Sequence, residues 1–153
     1  MAKAGLTVGG FYRHFDSKEA LVAEAIETAS RETASRHLAG SHGGEIDVAG
    51  LLDGYLSDAH RRHPGRGCPV AALCSEVARE ERGTRRAFTE ALERLLAAVD
   101  AAVGHASRSG REDALFTVSA AVGALVLSRA THDEALARDL LVATRKRLRD
   151  RAA

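Results

Sequence analysis

Proline occurs only twice in the 153 residues, and alternating β-branched runs are nearly missing. Few breakers and no period-two pattern argue against strands and leave room for long helices. Cysteine also occurs only twice, too few for the disulfide framework that staples small secreted folds. No uninterrupted run of 18 apolar residues is present, so nothing reads as a membrane span. Met1-Ala-Lys-Ala-Gly5 has no apolar h-region and does not read as a signal peptide. Together these absences predict a cytoplasmic protein. Catalytic signatures are missing too: there is no phosphate loop, no Gly-x-Ser-x-Gly elbow and no His-Glu-x-x-His. An enzyme has no motif to rest on, and no cofactor or metal is expected.

Charge of one sign is scarce as well. The net charge is +1, which neither supports nor excludes nucleic acid, because binding depends on where the basic groups sit. Lys3, Arg13, Lys18, Arg31 and Arg36 in the first 39 residues are balanced by Asp16, Glu19, Glu24, Glu27 and Glu32. The basic stretch is at the other end, with Arg145, Lys146, Arg147, Arg149 and Arg151. It reads as a solvated last helical turn, where cations suit the helix dipole.

What is present is alanine, leucine and a helical period, in a length that suits one core domain with a small head. Leu21, Val22, Ala25, Ile26 and Ala29 form a first stripe, with Asp16 and Glu19 spaced as a capping box. Val48, Leu51, Leu52, Tyr55, Leu56 and Ala59 form a second, ending before Pro64. Pro64 to Gly67 predicts a turn, and Pro69 the first residue of a short helix carrying Val70, Leu73, Cys74 and Val77. Phe88, Leu92, Leu95, Leu96, Val99 and Val103 then mark a long helix, closed by Gly104 to Gly110. From Ala114 to Leu127 nearly every residue is apolar, so that helix should be buried on two sides: one against its own core, one against a second copy. A last helix carries Leu136, Leu140, Leu141, Thr144 and Leu148. The prediction is an all-α chain of roughly seven helices after a short helical start.

The informative stretch is Ala4-Gly-Leu-Thr-Val-Gly-Gly-Phe-Tyr-Arg-His-Phe-Asp-Ser-Lys-Glu-Ala-Leu21. It resembles the second half of the TetR-family helix-turn-helix. That family has Ala-Gly-hydrophobic-Ser/Thr, then a recognition helix reading Val-Gly-x-x-Tyr-x-His-Phe, then Ser-Lys-Glu-x-Leu. The local chemistry fits: Gly5 frees the turn, Thr7 suits an N-cap, and Gly9 and Gly10 leave room for the backbone to approach a groove. The resemblance implies DNA contact by Thr7, Val8, Gly9, Gly10, Tyr12, Arg13, His14 and Lys18, with Tyr12 and Lys18 donating to phosphates. Phe11, Phe15 and Leu6 would pack inward. The stretch Gly67 to Leu73, with Glu76, Phe88 and Val122 to Ala130, looks like one TetR subgroup. In such proteins the two C-terminal helices pair as a four-helix dimer bundle, and the helices before them enclose a ligand cavity.

The resemblance therefore implies a partial DNA-binding head over residues 1–16 and a ligand-binding and dimerisation domain over 17–153. The function implied is a homodimeric repressor that binds a palindromic operator and is released by a small-molecule inducer. Only Met1 and Ala2-Lys3-Ala4 precede Gly5, whereas the family's head has a first helix and most of a second before the turn. The alternative is thus a helical ligand-binding and dimerisation protein that no longer engages DNA. For the chain as written, ligand binding without operator binding is expected, with residues before Asp16 frayed or repacked against a neighbouring molecule. A pocket lined by Tyr55, Cys74, Phe88, Leu92 and Phe116 would take an apolar or aromatic inducer. Cys68 precedes a helix N-terminus and lies near Arg66, which makes it a candidate redox or electrophile-sensing thiol, against the plainer reading of an inert buried one. Cys74 lies six residues further on, too far for a disulfide. His60 and His63 share a helical face without a third metal ligand and read as a solvated helix end.

Overall fold

The computed structural model describes residues 14–38, 48–103 and 110–152. Seven α-helices occupy them: α1 (Lys18–Leu38), α2 (Val48–Tyr55), α3 (Asp58–Arg62), α4 (Pro69–Val77), α5 (Arg82–Val103), α6 (Gly110–Ala130) and α7 (Glu134–Ala152). No strand occurs among the described residues. Helix α1 lies along α5, α5 packs on α6, α6 packs on α7, and the short helices α2 to α4 fill the spaces between these long rods.

Local chemistry sets the helix starts. Ser17, not Asp16, caps α1: its Oγ accepts the Ala20 N–H at 3.1 Å, as an N-cap hydroxyl accepts from the third helical residue. The second sequence stripe breaks in two, because Ser57 Oγ accepts the His60 N–H at 3.1 Å and starts α3 afresh. Pro64–Arg66 forms a single 3-10 turn, and Pro69 opens α4, where its missing N–H costs nothing. Asp133 Oδ1 accepts from the N–H groups of Ala135 and Leu136 at 2.8 and 3.1 Å and starts α7. Gly110, expected to end the segment that closes α5, already belongs to α6.

The core runs between α1, α2, α4, α5, α6 and α7, around Ile26, Leu52, Leu56, Val70, Val77, Ala91, Leu125, Leu141 and Leu148. A second cluster of Leu96, Val99, Ala114 and Val118 joins α5 to α6. The inward stripe of α1 differs from the expected one. Ile26, Ser30 and Thr33 are buried, whereas Leu21 and Ala25 are exposed. Helix α6 is long and apolar enough to cross a bilayer by length and composition. One side of it is the chain's own core, with Ala114, Val118, Ala121, Ala124, Leu125 and Ser128 buried. Its other side leaves Leu115, Phe116 and Leu127 exposed.

Candidate ligand cavity

Between α1, α2, α4 and α5 lies a cavity of about 550 Å³ of empty volume, its open mouth included. Ser30 and Thr33 come from α1, Leu51 and Tyr55 from α2, Cys68, Pro69 and Val70 from the start of α4, and Ala91, Arg94, Leu95 and Ala98 from α5. Leu51, Tyr55 and Leu95 also line a smaller cavity of about 270 Å³ reaching Thr117, Val118, Ala121 and Val122 of α6. These three side chains stand between the two spaces.

A polar relay builds the wall around Tyr55 and Cys68. Nε2 of His60 accepts the Cys68 N–H at 3.0 Å, so the ring proton sits on Nδ1 and is donated to the Tyr55 carbonyl at 2.7 Å. The imidazole is thereby held as one neutral tautomer, edge-on to the Tyr55 ring with centroids 4.8 Å apart. Gly67 makes this possible. A Cβ there would lie 2.3 Å from His60 Nε2, so only glycine admits the ring. Thr33 Oγ1 donates to the Gly67 carbonyl at 3.2 Å, which ties α1 to the same loop.

Two guanidinium groups flank this wall. Arg129 of α6 donates through Nη2 to the His60 carbonyl at 2.8 Å and through Nε to the Arg61 carbonyl at 3.2 Å. It thus satisfies the open C-terminal carbonyls of α3. Burial pushes Arg129 below its ordinary value. Arg94 lines the cavity, and its Nε donates to Ser30 Oγ at 3.2 Å. One nitrogen of each group, Arg94 Nη2 and Arg129 Nη1, is buried without a hydrogen bond. Arg61, also buried, is better served: Asp58 and Glu134 accept from it at 2.8 and 2.6 Å. Burial pushes the Tyr55 phenol well above its ordinary range, with the neighbouring Cys68 thiol adding to the shift.

The residues expected to line the pocket separate in space. Tyr55 lines both cavities. Phe88 and Leu92 are partly buried against the main core, and Cys74 is half-buried in α4, but none of the three lines the cavity. Phe116 points the other way: it is 50% exposed, with the Arg151 guanidinium 4.7 Å above its ring. The reason is phase, since Phe116 is about 200° around the helix from both Ala114 and Val118. Cys68 is 3% exposed at the cavity wall, and both cysteines are free thiols. His60 is a half-buried structural link rather than a solvated group, and both its ring nitrogens are engaged. His63 is exposed and hydrogen-bonded to the Ala59 carbonyl. No cluster of three metal-ligating side chains occurs among the described residues.

His14 and Lys18 are both exposed at the head end of α1. Thr7, Val8, Gly9, Gly10, Tyr12 and Arg13 lie outside the described residues, as does nearly all of the segment before Asp16 that was expected to fray. Sequence reasoning missed Ser30, Thr33, Arg94 and the Gly67–His60 contact. Spacing carried part of that signal: Ser30 and Thr33 continue the phase of Ile26, and Arg94 stands in series with Ala91, Leu95 and Ala98.

Comparison with known proteins agrees with this architecture. Residues 47–140 match the family model described as transcriptional regulator LmrA/YxaF-like, C-terminal domain. Residues 1–25 match that of bacterial regulatory proteins, tetR family. No curated protein sequence matches the chain significantly. Among solved structures, E. coli NemR in its reduced form superposes with a TM-score of 0.76 at 17% identity, covering 97% of this chain and 81% of that one. A TetR-family transcriptional regulator from Agrobacterium tumefaciens superposes with a TM-score of 0.72 at 19% identity, covering 94% and 80%.

Proposed function

Because the chain belongs to the TetR family of transcriptional regulators, we propose that it works as a ligand-responsive repressor: a homodimer that holds a palindromic operator until a small molecule fills the cavity between α1, α2, α4 and α5. The observation that carries this reading is that one helix serves both ends. Helix α1 begins beside the Ser17-Lys18-Glu19 segment of the DNA-binding motif, and twelve residues on it contributes Ser30 to the cavity wall. That is about 18 Å of rigid helix. A ligand wedged against Ser30 and Thr33 tilts the rod and displaces the head at its other end.

Residues 1–16 form the head in this reading and 17–153 the sensing and dimerisation domain. Lys18 and Tyr12 hold phosphates, while Thr7, Val8, Gly9, Gly10, Arg13 and His14 face the groove. The exposed side of α6, with Leu115, Phe116 and Leu127, meets its copy, joined by Leu136 and Val142 of α7. Gly123 supports this: a Cβ added there meets nothing within 4 Å, so that face is open in the single chain. The interface is isologous, as expected of a two-fold dimer.

The test is selection of bound duplexes from a random library, using the protein carrying a whole helix-turn-helix head. A palindrome is expected, with half-sites about one helical turn apart. Lys18→Ala and Tyr12→Ala should weaken binding to all duplexes alike, since phosphates carry no sequence information. Absence of any sequence preference would contradict the repressor reading and favour a ligand-binding protein that leaves DNA alone.

A further inference from the structure

The described walls of the larger cavity hold one cation, Arg94, and no acid; the remaining lining residues are apolar or carry a neutral hydroxyl, phenol or thiol. Elsewhere in the chain the buried arginine is compensated: Arg61 has two carboxylates. Among the described residues Arg94 has only the neutral Ser30 hydroxyl, and its Nη2 is buried without a hydrogen bond. A buried guanidinium nitrogen left without an acceptor is costly, and a charge-assisted bond to an anionic oxygen is among the strongest a protein can offer it. Beyond the Tyr55–Cys68 wall, Arg129 likewise faces only backbone carbonyls, with its Nη1 unpaired. Among the described residues the lining thus offers a cation and no competing carboxylate, set in largely apolar walls where screening by water is weak.

We infer that the inducer is an organic acid: an apolar ring or chain bearing one anionic oxygen group, seated with its body against Leu51, Val70, Leu95 and Ala98 and its anion on Arg94. This rests on reading the cavity as the ligand site, and it adds the charge that the lining demands. The ion pair would also join α1 to α5 through the ligand, because Arg94 is already bonded to Ser30 of α1. The anion replaces the solvation that Arg94 Nη2 lacks, so the acid form is selected over a neutral molecule of the same shape.

The experiment uses 1-naphthoate and its neutral isostere 1-naphthamide as probes, titrated into the full chain by calorimetry. Naphthoate should bind about tenfold or more tightly than naphthamide, the size of one charge-assisted hydrogen bond. Arg94→Gln should bring the two to parity by weakening naphthoate alone, and Arg94→Lys should keep the preference for the acid. Ala98→Trp, which puts an indole into the cavity from its α5 wall, should abolish both. Equal binding of the two probes by the unmodified chain would overturn the acid assignment and leave the cavity reading standing. This comparison needs no variant, so a misfolded Arg94→Gln would not blunt it. Binding that survives Ala98→Trp, or no binding of either probe, would overturn the cavity reading and the acid with it.

Discussion

The two sides of α6 are equally apolar in sequence and opposite in what surrounds them. Leu125 is 0% exposed and Leu127, two residues on, is 56% exposed. On the inner side Ser128 donates to the Leu125 carbonyl and Arg129 to the carbonyls of α3, so the polar groups brought inside have backbone to meet. On the outer side the apolar surface is open, with the Arg151–Phe116 stack at its edge. The difference teaches that apolar content alone does not say which face is core. Small residues in phase, and polar groups with partners arranged for them, mark the inner face. Large side chains in the opposite phase, left about half exposed, mark a surface that suits a second copy.

The largest test of this contrast is truncation on each side. Leu125→Ala should lower folding stability by about 3–4 kcal/mol, as for fully buried leucines, seen in a urea melt at fixed protomer concentration. Leu127→Ala should leave folding of the single chain within about 0.5 kcal/mol while weakening self-association. Equal losses of fold stability from both would erase the distinction. Next, Gly123→Arg should cost the proposed dimer about 2 kcal/mol or more, measured by sedimentation equilibrium, because it plants a charge on the open apolar face proposed to meet its copy.

A smaller effect is expected in the loop that walls the cavity. Gly67→Ala should cost about 2 kcal/mol, since the added methyl overlaps the His60 ring and must push it from Cys68 and Tyr55. Thermal melting checks this, and an unchanged midpoint would show that the ring moves freely. The smallest effect is in pH. The Tyr55 phenol is raised above its ordinary 10.0, so the folded chain keeps this proton after the unfolded chain has lost it. Stability is therefore intact below pH 10 and falls as the pH rises beyond it, by at most about 1.4 kcal/mol per pH unit from this group. Tyr55→Phe should remove that slope between pH 10 and 11.

The long helices were legible because their apolar residues repeat at three and four, and α4 because Pro69 suits the first helical position. The family was legible from residues 4–21, where the spacing of small, aromatic and basic residues is specific. The cavity was legible only at Tyr55. Phe116 lies outside it because its phase opposes that of Ala114 and Val118. Ser30, Thr33 and Arg94 were passed over because polar residues on long helices usually face water. Their phase with Ile26 and Ala91 held the contrary signal. The Gly67–His60 contact depends on a loop folding back on α3, and local periodicity does not encode that. His60 accordingly read as a solvated helix end.

The most direct test crosses the two surfaces in one pair of variants. Sedimentation and 1-naphthoate titration would both be run on the unmodified chain, on Gly123→Arg and on Arg94→Gln. The expected results, in that order, are a dimer that binds naphthoate, a monomer that still binds it within about threefold, and a dimer that binds it about tenfold or more weakly. An unmodified chain that sediments as a stable monomer, or an Arg94→Gln variant that loses its dimer along with its ligand, would contradict the separation of a ligand face from a partner face.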